Sequence, residues 1–162
     1  MYHELKIIRQ ALLNEQEGHD FYTLAAQQAE NPEAKEAFDN LASEELNHIK
    51  WLREMYKKLA ANNPDGFDFS TIDLPPVPGL YTAENIGRES GSIAVSVYGI
   101  AVNMEKAAID FYTAAAEQTK VPAAARLYNN LILWENQHLE KFLSEYESLK
   151  QDWWQSQGFD PA

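Results

Sequence analysis

Along the first sixty residues, apolar side chains return at three- and four-residue steps: Leu5, Ile8, Leu12 and Leu13, then Phe21, Leu24 and Ala25. That step places them on one face of an α-helix. Asn31 followed by Pro32 stops this helix and starts another, because proline at the first helical position gives up an N–H that has no partner there. The second helix continues through Phe38, Leu41, Ile49, Leu52 and Leu59. The pattern then repeats. Ser90 or Ser92 can cap a helix over about 91–119, Pro122 restarts the chain, and the last helix runs to about Lys150. Four helices of about 28 residues, each about 42 Å long, are predicted. Between the pairs lies "NNPDGFDFSTIDLPPVPGLYTAENIGRES", rich in Pro and Gly and without a sustained period, which reads as loop. A loop of about 30 residues needs a topological or functional reason. Extended, it outreaches the bundle, so it can cross from one end to the other. The expected fold is all-α: a four-helix bundle of one domain, 1–162, with hairpins over 3–60 and 91–150, a crossover over 61–90 and a tail over 151–162. The direction of the second hairpin relative to the first rests on loop length alone. Trp153 and Trp154 in the tail are expected to pack on the bundle end or on a neighbouring subunit.

Composition narrows the chemistry. Twenty-five acidic residues against 13 basic ones give a formal charge of −12, which repels nucleic acid and anionic membranes and favours cations. Cysteine is absent, so disulfides, thiol catalysis, iron–sulfur ligation and a four-cysteine iron site cannot be built from this sequence. Any metal must sit on carboxylate and imidazole. The opening "MYHELKIIRQALLNEQEG" has no signal-peptide core, and the longest apolar run, near "SIAVSVYGIAVNM", is too short to span a bilayer. A cytoplasmic protein is expected.

Sliding the chain on itself by 90 residues aligns 11–50 with 101–140 without a gap. The overlay gives 15 identities in 40 positions, against about two or three from composition, and so reads as a duplication. The repeat separates duplicated polar residues from incidental ones. Glu15 matches Glu105, Tyr22 matches Tyr112, Glu45 matches Glu135 and His48 matches His138. Glu17, His19 and Glu44 face Ala107, Ile109 and Trp134, and are weaker candidates. Asp20 and Asp110 are duplicated but lie about 140° round the helix from Glu15 and Glu105, where solvation is expected.

A single Glu-x-x-His is commonplace on solvated helix faces. Two at a fixed offset, each accompanied by a mid-helix Glu, point elsewhere. Residues i and i+3 share a face, so Glu45 with His48, and Glu135 with His138, can each grip one point. Tyr22 and Tyr112 lie two turns along from Glu15 and Glu105 on the same faces. Burying an unpaired carboxylate costs several kcal/mol, and four near one axis repel one another. Two divalent cations balance four carboxylates, with two neutral imidazoles completing the shell. Glu from two helices and Glu-x-x-His from two others is a known arrangement of ferritin-like di-iron and di-manganese proteins.

Through "NEQEGHDFYTLAA", "ASEELNHIKWL", "MEKAAIDFYTAAA" and "LWENQHLEKF", the chain resembles the rubrerythrin branch of the ferritin-like superfamily over nearly all of its four helices. The resemblance implies Glu15, Glu45, His48, Glu105, Glu135 and His138 as ligands of two metal ions per chain. Iron is the expected metal, with manganese or zinc as alternatives. It implies Tyr22 and Tyr112 as hydrogen-bond donors that orient ligand carboxylates. His19, one turn from Glu15, is a candidate for lining an access route or assisting a ligand. Two departures stand out. The extra glutamate typical one turn before the third-helix ligand is here Val102, and no C-terminal rubredoxin-type domain follows.

The implied activity is that of a dinuclear-metal oxidoreductase, of peroxidase or ferroxidase type and suited to oxidative stress. It would reduce O2 or H2O2 as Fe(II) is oxidised, with an external electron donor. The alternatives are iron storage or delivery, and a di-manganese catalase. A homodimer or larger homo-oligomer is expected.

Overall fold

The computed structural model describes residues 2–75 and 92–158. Four long helices account for most of them: α1, Tyr2–Gln28; α2, Pro32–Ala60; α3, Ser92–Gln118; and α4, Pro122–Ser156. The all-α bundle expected from the period is present. At the first turn, the Asn31 side chain accepts from the backbone N–H of Glu33 (2.8 Å) and Ala34 (3.4 Å), and Pro32 occupies the first helical position. Helix α4 continues to Ser156, six residues past the expected end, because nothing between Lys150 and Ser156 breaks a helix. Trp153 and Trp154 therefore belong to its last turns and meet edge to face at 4.7 Å. The expected cap at Ser90 and the later crossover, 76–91, lie outside the described residues, and Ser92 is the first residue of α3.

Cross-helix contacts establish the helix directions. Glu4, Glu15 and Tyr22, ascending α1, meet Thr119 just past the end of α3, then Tyr112 and Glu105, descending α3. Likewise Glu45 meets His138, and His48 meets Glu135. So α1 runs antiparallel to α3, and α2 to α4. Helix α2 ends beside the start of α1, whereas α3 begins at the opposite end, so the connection must traverse the bundle. Its first part is ordered by short 3₁₀ turns at Pro64–Gly66 and Phe69–Thr71. Phe67 is buried, and the indole N–H groups of Trp51 and Trp134 donate to the carbonyls of Thr71 (3.1 Å) and Asp73 (3.0 Å). Both indoles are thus pinned beneath the crossover.

The interior is apolar at both ends and polar in the middle. One cluster packs Ile8, Leu52, Met55, Leu59, Leu127 and Leu131. The other packs Phe38, Leu41, Tyr98, Val102, Phe142 and Leu149. Leu13 and Leu24, counted in the apolar stripe by spacing, are 51% and 55% exposed. They lie about 160° and 180° round α1 from the buried Glu15, on its outer face. No helix among the described residues is long and apolar enough to cross a membrane.

At the end of the bundle where α1 begins, buried Glu4 accepts from Tyr128 Oη and Thr119 Oγ1, both at 2.5 Å, tying α1 to the second hairpin. Hydrogen bonds to a carboxylate contribute about 1.5–3 kcal/mol. Tyr128→Phe is expected to lower unfolding stability by about that amount in urea titration. Unchanged stability would show that the contact does not hold the hairpins together.

Candidate metal centre

Between the two apolar clusters, Glu15, Glu45, His48, Glu105, Glu135 and His138 converge from all four helices, each no more than 3% exposed. They form two overlapping groups that could each hold a cation, with ligand atoms within 4.8 Å of one another: Glu15, Glu45, His48 and Glu135; and Glu45, Glu105, Glu135 and His138. Glu45 and Glu135 belong to both. The histidines enter through Nδ1. His48 Nδ1 lies 3.0 Å from Glu15, 3.3 Å from Glu45 and 3.2 Å from Glu135. His138 Nδ1 lies 3.3 Å from Glu45, 3.2 Å from Glu135 and 3.7 Å from Glu105. All six of the carboxylate and histidine ligand candidates are brought together.

The tyrosines cross-link the halves. Tyr22 Oη donates to Glu105 Oε1, and Tyr112 Oη donates to Glu15 Oε1, so each hairpin's phenol holds the other hairpin's glutamate. Sequence spacing placed each tyrosine on its own glutamate's face, and the antiparallel pairing of α1 with α3 supplies the exchange. His19 is not drawn in. Its ring Nδ1 lies 3.0 Å from the Ala42 carbonyl, fastening α1 to α2 at a half-buried position outside the cluster.

Glu44, discounted because its repeat mate is Trp134, reaches His138 Nε2 at 2.9 Å, and Lys141 Nζ stands 3.6 Å from the same carboxylate oxygen. The repeat could not show this contact, since it is made in one half only.

Four carboxyls and two imidazoles without a counter-ion must share protons. Burial, then the charges of Glu135 and Glu45, push Glu15 well above the usual carboxyl range. Burial and the same two neighbours raise Glu105 to about 8, against the attraction of His138. Burial also opposes ionisation of Glu45, yet hydrogen bonds from Glu15, His138 and His48 outweigh it and hold Glu45 well below that range. For Glu135, burial and the Glu45 charge are outweighed by His48 and His138, and its carboxyl is lowered. Burial disfavours the imidazolium forms, but Glu135 and Glu15 raise His48 well above its ordinary value, and Glu105, Glu135 and Glu44 do the same for His138. These shifts favour protons on Glu15, Glu105 and the two imidazoles and ionised carboxylates at Glu45 and Glu135, so that positive and negative charge offset one another within the cluster. Protons occupy the role that divalent cations can take. Nδ1 of His138 and Oε1 of Glu135 are buried without a well-formed hydrogen bond, as expected of groups aimed at a common centre.

A cavity of about 200 Å³ leads in between α1 and α3, past Asn14, Glu17, Gly18, Met104, Ala107 and Ala108, to Glu15, Glu45, Glu105 and Glu135. Gly18 lies on this floor, where a Cβ would stand 3.5 Å from the Glu45 carboxyl carbon, in van der Waals contact. The cavity suits a small polar molecule.

The rubrerythrin family model matches residues 6–146, and the chain belongs to that family. No curated protein and no solved structure gave a match. Family membership together with the buried carboxylate–histidine groups makes this a protein with a candidate metal centre.

Proposed function

We propose that the chain is a di-iron oxidoreductase of rubrerythrin type that reduces O2 or H2O2. The observation that carries this reading is the pair of buried ligand groups sharing Glu45 and Glu135, reached by a small open cavity. On this reading two cations would be held in common by Glu45 and Glu135, with Glu15 and His48 completing one position and Glu105 and His138 the other. Iron held there would supply the redox chemistry, two electrons as two Fe(II) become two Fe(III).

The chain's residues do the rest. Tyr22 and Tyr112 fix the orientation of Glu105 and Glu15 through their phenol protons. Among the described residues, the apolar clusters close both ends of the centre and the cavity between α1 and α3 gives oxidant a route to it. Val102 is buried in the same apolar cluster as Tyr22 and Phe142 and offers no fifth carboxylate, so on this reading the ligand set stays at six residues. Electrons for repeated turnover come from an external donor.

Anaerobic Fe(II) titration followed by H2O2 tests the proposal. Binding of about two Fe(II) per chain is expected, and then an oxidised chromophore as peroxide is consumed. Iron bound and retained without peroxide or O2 consumption would replace this reading with storage or delivery. Oxygen release from peroxide by manganese-loaded protein would replace it with catalase activity.

A further inference from the structure

The repeat makes the two histidines look equivalent, yet their outer nitrogens meet opposite surroundings. His138 Nε2 lies 2.9 Å from the Glu44 carboxylate, which Lys141 Nζ approaches at 3.6 Å. His48 Nε2 is buried with no hydrogen-bond partner among the described residues. Around it stand indoles: Trp51 with ring centroids at 5.4 Å and Trp134 at 5.8 Å. Indole nitrogens only donate, and both are already committed to the Thr71 and Asp73 carbonyls. Neither can accept a proton from His48.

The difference bears on metal binding. Both rings aim Nδ1 at the carboxylates, so a neutral imidazole that ligates through Nδ1 must carry its proton on Nε2. At His138 that N–H donates to an ionised carboxylate, which fixes the ring and makes Nδ1 a stronger donor. At His48 the same N–H is buried without an acceptor among the described residues, which disfavours the ligating tautomer.

Resting on the di-metal reading above, we infer that the two positions are inequivalent. The position completed by Glu105 and His138 fills first and holds its cation more tightly, with Glu44 as the positioning residue. The position completed by Glu15 and His48 fills second and releases first.

Anaerobic Co(II) titration of the full chain at fixed pH, followed by calorimetry and by paramagnetically shifted imidazole N–H resonances, tests this. In the wild type, the first equivalent is expected to bring up one ring N–H signal, slowed in exchange by Glu44. Glu44→Gln is expected to weaken the tight step by about 10–100-fold and to speed exchange of that signal, leaving the second step within about threefold. Repulsion between two bound ions would also separate the steps, so the histidines decide the assignment. His48→Ala should keep the tight step and its N–H signal, and His138→Ala should lose both. The inference is overturned if Glu44→Gln weakens both steps alike or neither, or if His48→Ala is the variant that loses the tight step. Absence of any Co(II) binding in the wild type would instead remove the di-metal reading itself. Helix content and melting temperature of each variant separate misfolding from loss of a ligand partner.

Discussion

Glu135→Ala is expected to abolish binding of both cations, whereas Glu105→Ala should leave one. Glu135 presents one carboxylate oxygen 3.2 Å from His48 Nδ1 and the other 3.2 Å from His138 Nδ1, and it belongs to both candidate cation groups. Glu105 belongs to one. Removing one partner from a buried ionic contact costs about 3–5 kcal/mol, on the order of 10²–10⁴-fold in affinity, and here the loss falls on both positions. Metal content after dialysis and the stoichiometry of Fe(II) titration read the outcome. One tightly held ion in Glu135→Ala would mean that the positions do not share this carboxylate.

Metal-free protein is expected to lose stability as pH rises from about 5 to 8, and metal loading is expected to reverse the trend. Glu15 and Glu105 have folded values above the ordinary 4.5, with Glu105 near 8. Such groups bind protons more tightly folded than unfolded, so their stabilising contribution is complete below 4.5 and is lost as pH climbs through the folded value. His48 and His138, raised above 6.5, act in the same direction from that pH upward. Glu44, Glu45 and Glu135 are lowered from 4.5, so what they contribute is present above that pH and is lost only as pH falls through their folded values. Together these place the stability maximum of the metal-free protein near about pH 5. Divalent cations must displace the protons of Glu15, Glu105, His48 and His138, so filling both positions near neutral pH should release about four protons. Thermal melts with and without metal, and calorimetry in buffers of different ionisation enthalpy, measure the two effects. Flat stability from pH 5 to 8, or fewer than about one proton released per ion, would refute the proton inventory.

Periodicity carried the helices, because a three- and four-residue step has one simple interpretation, and Asn31–Pro32 marked a turn by capping chemistry alone. The six converging residues were legible for a different reason: the duplication preserved them at matched positions. That filter also had a blind side. It discards whatever occurs once, and Glu44 occurs once. Recognising it required knowing that α2 and α4 run antiparallel, so that His138 stands beside Glu45 and its neighbour, and loop length could not supply that register. Glu4 with Tyr128 and Thr119 was hidden likewise, since the contact joins residues more than a hundred positions apart. Leu13 and Leu24 misled because hydrophobicity alone does not give direction round a helix. His19 has the right distance along α1 from Glu15 but turns to the α2 backbone.

The exchange of tyrosine contacts between hairpins relates the two halves by an approximate twofold axis through the carboxylates. Two separate copies of one such hairpin, assembled about that axis, would be bound by symmetry: a glutamate behind one histidine would stand behind both, and an indole likewise. Joining the copies into one chain removes the constraint. Residue 44 and residue 134 are then free to differ, and one half can hold its histidine with a carboxylate while the other encloses it in indole. The long crossover is thus more than a connector between hairpins, because covalent fusion is what allows two matched positions to become unlike.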